Sequence, residues 1–193
     1  ALESDADLVV CAGDLVDYGP YPTECIDWLI ARRAQAVAGN HDLLVLESCD
    51  SHNEGQPANW QRDNAKKLAP RHIDYLRSLP SRLCLELDGV WYGVTHMYRD
   101  YEIIRSVQAF KAFAHERFGK DLDRMIFGHT HRRERHFLAD STWWLNPGSA
   151  SYRRGEETFR GAHYAVLIDG QVSLRSVPYP TDGLCHAVLA AEV

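Results

Sequence analysis

The stretch Met125-Ile-Phe-Gly-His-Thr-His131 starts as an apolar run and ends in glycine and two histidines. Side chains at i and i+2 of an extended chain lie on the same side, so His129 and His131 can reach one shared site. That geometry suits metal ligation. Taken alone, a His-x-His reads equally well as two loop histidines bonded to backbone or water. Three further clusters join it: Gly13-Asp14, Asn40-His41-Asp42 and His96. Each has a bland explanation as a turn, a helix cap or a core histidine. As a set, a carboxylate, an amide oxygen and three imidazoles are the donors that hold borderline dications such as Mn²⁺, Fe²⁺, Ni²⁺ or Zn²⁺. One carboxylate can also bridge two ions about 3.5–4 Å apart, the spacing of two-metal hydrolysis.

All four clusters follow short apolar runs. Leu8 to Ala12 reads as a buried strand ending at Gly13-Asp14, and Ala36 to Ala38 as a second strand ending in a polar loop, Gly39 to Asp42. Between them, Pro22 opens an amphipathic helix carrying Ile26, Leu29 and Ile30 and closing at Arg32-Arg33. Strand, helix, strand predicts a parallel βαβ unit. Residues 48–57 read as a surface loop, with helices over 60–68 and 70–79. Asp88-Gly89 predicts a hairpin of 82–87 with 90–95, ending at His96, and Asp169-Gly170 a hairpin of 164–168 with 171–177. A helix over 106–118 precedes strands at 125–127, 135–138 and 142–145. In parallel sheets, sites gather at the carboxyl ends of the strands, where these Asp, Asn and His residues stand.

The 193 residues match one generous domain, and 1–193 is read as a single domain. No apolar run approaches the roughly 18 residues of a membrane span, and no basic-then-apolar leader opens the chain. A soluble, cytoplasmic protein is the expectation. Cys11, Cys25, Cys49, Cys84 and Cys185 are odd in number and widely spaced, which argues against a disulfide framework, and most read as small core residues. With a formal net charge of −6 and scattered basic residues, no broad nucleic-acid surface is expected. The oligomeric state is not legible.

The ordered series Gly13-Asp14-Leu-Val-Asp17-Tyr-Gly19, Gly39-Asn40-His41-Asp42, His96 and Gly128-His129-Thr-His131 resembles the calcineurin-like metallophosphoesterase signature. Tyr18-Gly19-Pro20 and Asn146-Pro147-Gly148-Ser149 add similarity to the small bacterial and archaeal phosphodiesterase-like branch. The resemblance implies two packed mixed β-sheets flanked by helices, an αββα sandwich. It implies two divalent ions, with Asp14 bridging, Asn40, His96 and His129 completing the second site, and His131 serving the first. His41 would face the phosphate, stabilising charge or protonating the leaving oxygen, with Asp42 as its orienting partner and Asp17 shaping the loop. The implied reaction is hydrolysis of a phosphodiester or phosphomonoester, in a small-molecule or nucleotide-type substrate, by a metal-bridging hydroxide.

The family's opening Asp-x-His motif does not occur in the sequence. The first strand and helix are therefore read as missing from the chain, which leaves the first metal site possibly incomplete. Two other functions compete. A non-catalytic binding or scaffold protein on the same fold is supported by the missing motif. A His-x-His amidohydrolase would need a barrel of about 250 residues. Trp143-Trp144 alternates on a strand, so one ring is expected in the core and the other at a rim. Tyr98 and Arg99, beyond His96, and Arg132, Arg133, Arg153 and Arg154 read as solvated or as phosphate contacts.

Overall fold

The computed structural model describes residues 6–51, 59–151, 155, 158, 159 and 161–182. The chain divides into two compact units, residues 1–80 with 179–193, and residues 81–178. The architecture is α/β, with mixed β-sheets flanked by helices. Among the described residues, no helix is long and apolar enough to cross a membrane.

In the first unit, β1 (Val10–Cys11) and β2 (Gln35–Ala36) pair in parallel, as the βαβ pattern predicts. The connection is α1 (Pro22–Ala31), which buries Ile26 and Leu29 and starts at Pro22, whose fixed φ suits the first turn. Helices α2 (Asn40–Asp50), α3 (Trp60–Lys67) and α4 (Pro70–Ser78) follow. Val16, Ile26, Val45, Leu68 and Leu76 pack into one core cluster. His72 ties α4 to α1: its Nδ1 accepts from Ala69 N–H at 3.1 Å, and its Nε2 donates to Asp27 at 3.1 Å.

Two local expectations are corrected here. Gly39 to Asp42 is no loop, since α2 begins at Asn40 with Gly39 as its N-cap. Nor is the segment from residue 48 a loop from its start, because α2 runs on to Asp50. Ser48 Oγ donates to the Leu44 carbonyl at 2.9 Å and Ser51 Oγ to the Glu47 carbonyl at 2.7 Å, so these turn-forming side chains bond back onto the helix. Residues 52–58 lie outside the described residues.

The second unit holds a five-stranded mixed sheet in the order β3-β4-β5-β7-β6. These strands are β3 (Arg82–Leu87), β4 (Val90–Thr95), β5 (Arg124–Ile126), β6 (Glu134–Phe137) and β7 (Trp143–Asn146). β4, β5 and β7 run parallel, and β3 and β6 are antiparallel edges. The β3–β4 hairpin turns at Asp88-Gly89 with φ of 53° and 72°, the positive pair a tight hairpin needs. α5 (Val107–Phe118) joins β4 to β5, with Ser106 accepting from Ala109 N–H at 3.1 Å. A second hairpin, β8 (Ala162–Ile168) and β9 (Gln171–Val177), turns at Asp169-Gly170.

Phe110, Phe113, Leu122, Met125, Phe127 and Trp144 form this unit's core. Trp143 and Trp144 are each 4% exposed, so neither ring sits at a rim. β7 is an inner strand covered on both faces: Trp144 packs on Phe127, while Trp143 meets Tyr92 and the Arg124 guanidinium. The cysteines also differ from expectation. Cys25 and Cys84 are exposed and Cys11 and Cys49 partly so, while Cys185 lies outside the described residues. Cys84 is on the outer face of an edge strand whose alternate residue, Leu85, is buried.

Candidate functional site

Each unit presents adjacent parallel strands, β1 with β2 in the first and β4, β5 and β7 in the second, and the predicted residues follow their carboxyl ends. In the first unit, Asp14 follows β1 and Asn40-His41-Asp42 follow β2. His41 N–H donates to Asp14 Oδ1 at 3.0 Å, joining the two strand ends. The Asp42 carboxylate lies beneath both. It accepts Gly39 N–H at 2.8 Å, Asp14 N–H at 3.0 Å, Leu15 N–H at 2.7 Å and Val16 N–H at 3.2 Å. A buried side chain that serves four backbone donors fixes the shape of the Asp14 loop and caps α2 at once. A Cβ on Gly39 would lie 2.1 Å from Asp14 Oδ1, so the glycine is required by close approach.

The roles read from the resemblance for the two supporting aspartates are exchanged. His41 Nδ1 bonds the Asp17 carboxylate, not Asp42. Asp17 also accepts from Gln61 Nε2 at 3.0 Å, and Asn64 Nδ2 donates to the Asp17 carbonyl at 2.7 Å. Asp17 thus bonds the His41 ring, while Asp42 bonds the backbone of the Asp14 loop. A carboxylate on Nδ1 fixes the imidazole tautomer and leaves Nε2 to face outward chemistry. Tyr18 Oη stands 3.3 Å from that Nε2.

In the second unit, His96 follows β4 and Gly128-His129 follow β5, the neighbouring parallel strand. Gly128 N–H donates to the His96 carbonyl at 2.9 Å. The His96 and His129 rings meet edge to face with centroids 5.3 Å apart, and His96 is buried. Asn146, at the end of β7, is 1% exposed and holds this loop: its Nδ2 donates to the Gly128 carbonyl and to Thr130 Oγ1, and its Oδ1 accepts Gly148 N–H at 2.9 Å. Asp100 Oδ1 lies 3.2 Å from His129 Nε2, and Tyr101 lies over the ring at 4.9 Å. Sequence reasoning assigned no site role to Asn146 or Asp100. A polar residue closing an inner strand, and an aspartate directly after the Tyr98-Arg99 pair, are the signals it passed over.

Asp14, His129 and His131 all adopt positive φ, at 56°, 59° and 58°. Non-glycine residues hold that conformation at a cost of roughly 1 kcal/mol or more, and such positions cluster at ligand sites. Asp100, at 50°, shares it. The basic residues divide differently: Arg133 bonds Ser176 Oγ and Arg135 donates to the Val172 carbonyl at 3.3 Å, both tying the sheet to the β8–β9 hairpin. Arg153 and Arg154 lie outside the described residues.

The donors suit a divalent cation in kind. Burial raises the pKa of both Asp17 and Asp42, pushing Asp42 up to about 6 despite its N–H donors, and the Asp14 charge adds to each rise. A cation beside Asp14 would relieve that crowding. Among the described residues, no three His, Cys, Asp or Glu side chains form a cage by themselves. The structure brings Asp14 against the start of α2 in one unit and the His96 and His129 rings together in the other.

Comparison with known proteins agrees with the fold. An uncharacterized protein of Methanocaldococcus jannaschii is 37% identical over 76 residues, which cover 37% of this chain and 30% of the relative. The matched stretch thus spans under a third of that relative's length. A metallophosphoesterase from Sphaerobacter thermophilus superposes with a TM-score of 0.76 at 21% identity, covering 98% of this chain and 85% of the other. A hypothetical protein of Pyrococcus horikoshii gives 0.74 at 17% identity, covering 96% and 79%. Residues 1–168 match the domain described as the calcineurin-like phosphoesterase superfamily domain. That match takes in both strand pairs and every loop that carries the acidic, amide and imidazole donors, and the chain belongs to the calcineurin-like phosphoesterase superfamily.

Proposed function

We propose that the chain is a metal-dependent phosphoesterase that hydrolyses a phosphodiester or phosphomonoester of a small-molecule or nucleotide-type substrate. The observation that carries the reading is the His41–Asp17 pair at the start of α2, beside an Asp14 whose carboxylate accepts His41 N–H and whose own N–H donates to Asp42. A histidine whose Nδ1 is committed to a buried carboxylate is built to hold or move a proton at Nε2. His41 Nε2 protonates the leaving oxygen, and the imidazolium so used is steadied by Asp17. The amino end of α2 adds a favourable field for a phosphoryl anion.

The ion donors in this reading are Asp14, Asn40, His96, His129 and His131, within one phosphoesterase domain. Two divalent ions, Mn²⁺, Fe²⁺, Ni²⁺ or Zn²⁺, would lower the pKa of the attacking water and offset charge on the phosphoryl oxygens. That accounts for a phosphate-directed chain with a net charge of −6.

The test is hydrolysis of bis(p-nitrophenyl) phosphate and p-nitrophenyl phosphate across these metals, with metal content measured in parallel. His41→Ala and Asp17→Asn should lower kcat by roughly 100-fold while metal content stays near that of the parent. Asp14→Asn should lower both. Equal loss of metal in all three variants would overturn the role of His41. Absence of turnover with every metal would favour a binding or scaffold role instead.

A further inference from the structure

Asp100 stands in the segment between β4 and α5, and nothing in the family signature reaches it. The segment is fastened at several points within its own unit. Tyr98 packs edge to face on Phe113 of α5 at 4.8 Å, Glu102 N–H donates to the Arg99 carbonyl at 2.9 Å, and Trp144 Nε1–H donates to the Ile104 carbonyl at 2.9 Å. Ile104 is fully buried. These anchors deliver Asp100, itself in the left-handed region, to His129 Nε2 at 3.2 Å, with Tyr101 on the ring's face.

We propose that Asp100 is a positioning residue that sets the tautomer and orientation of His129 for metal binding, an inference that rests on the metal-dependent reading above. A carboxylate accepts and does not donate, so the Asp100 contact places the proton on Nε2 and leaves the Nδ1 lone pair for the ion. A partner of this kind on the far nitrogen raises ligand basicity and holds the ring plane. The competing account is an exposed ion pair of little consequence, since the Asp100 side chain is 76% exposed while that of His129 is 10% exposed. Two features favour positioning: both residues adopt positive φ to meet, and the ring is also held by His96 and Tyr101.

The experiment measures Co²⁺ affinity by calorimetry and the visible Co²⁺ spectrum in the full chain, for the parent, Asp100→Gly, Asp100→Asn and His129→Ala. Glycine keeps the backbone conformation and removes the carboxylate, whereas asparagine tolerates the same φ and still offers an oxygen to Nε2–H. Asp100→Gly should weaken Co²⁺ binding about 10-fold and shift the visible bands, with the metal-free melting temperature unchanged, and Asp100→Asn should restore most of the affinity. Parent-like affinity in Asp100→Gly, beside a weakened His129→Ala, overturns the proposal. So does a loss that Asp100→Asn leaves unrestored. Unchanged affinity in His129→Ala instead overturns the metal-site reading itself.

Discussion

Replacing Asp42 by asparagine separates two roles that a sequence alone confuses. The Asp42 carboxylate accepts two N–H groups at each oxygen, Leu15 and Val16 at Oδ1 and Gly39 and Asp14 at Oδ2. Asparagine preserves shape but keeps one oxygen, so its NH₂ would face two N–H donors. Two donors in this buried cluster then lack an acceptor, at about 1–3 kcal/mol each. Removing a charge that burial disfavours offsets part of this, since burial pushes Asp42 up to about 6. The balance is a loss of about 3 kcal/mol, a large share of the roughly 5–15 kcal/mol that holds a domain. At about 2–4 °C per kcal/mol for a chain of this size, the melting temperature should fall by about 6–12 °C.

The assay is a thermal melt of the metal-free protein, with hydrogen exchange at the amides of Asp14, Leu15, Val16 and Gly39. One pair of amides, Asp14 with Gly39 or Leu15 with Val16, should lose protection, because the asparagine side chain can offer its single oxygen to only one of them. Nitrogen NMR of His41 should meanwhile show an unchanged tautomer, since Asp17 and not Asp42 holds Nδ1. A variant that melts like the parent, yet shows an altered His41 tautomer and lowered turnover, would refute the assignment of Asp42 to the loop. It would restore Asp42 as the partner of His41.

Two further outcomes are expected. Gly39→Ala places a Cβ 2.1 Å from Asp14 Oδ1 and 2.3 Å from its backbone nitrogen, so the loop must move; metal affinity by calorimetry should drop more than 10-fold, and parent-like affinity would show that the approach is looser than drawn. Thiol labelling at pH 8 should modify exposed Cys84 quickly and partly exposed Cys11 far more slowly, because burial of its thiol pushes the Cys11 pKa up to about 12; mass mapping that finds Cys11 labelled as fast as Cys84 contradicts this.

What the sequence made legible was punctuation. Asp88-Gly89 and Asp169-Gly170 located both hairpins because only a few residue pairs accept two positive φ angles in succession. Parallel pairing of β1 with β2 followed from the intervening amphipathic helix. Strand ends carrying Asp, Asn and His were legible for the same reason, since polar residues directly after a buried run need a purpose. The N-terminus of α2 was not, because Gly39-Asn-His-Asp satisfies a turn and a helix cap equally, and the arbiter is the donor set converging on Asp42. Likewise Trp143 and Trp144 alternate as half-buried strand residues do, while burial on both faces depends on side chains brought in from elsewhere, Phe127 on Trp144 and Tyr92 with Arg124 on Trp143.

The exchange between Asp17 and Asp42 shows where sequence proximity misleads. Asp42 is the immediate neighbour of His41, but successive residues of a helix project about 100° apart, so adjacency works against contact. A carboxylate 24 positions away, on the loop after β1, can instead meet the imidazole across the strand pair. The same logic applies to His129: its immediate neighbours are Gly128 and Thr130, but the carboxylate on its ring is Asp100, 29 positions earlier and carried by the segment after β4. In both units the imidazole comes from one strand end and its carboxylate from the loop after the adjacent parallel strand. Parallel pairing therefore does more than gather donors at one edge: it supplies each histidine with a partner from a separate loop. Substitutions in that loop should alter the histidine's chemistry without touching its own backbone.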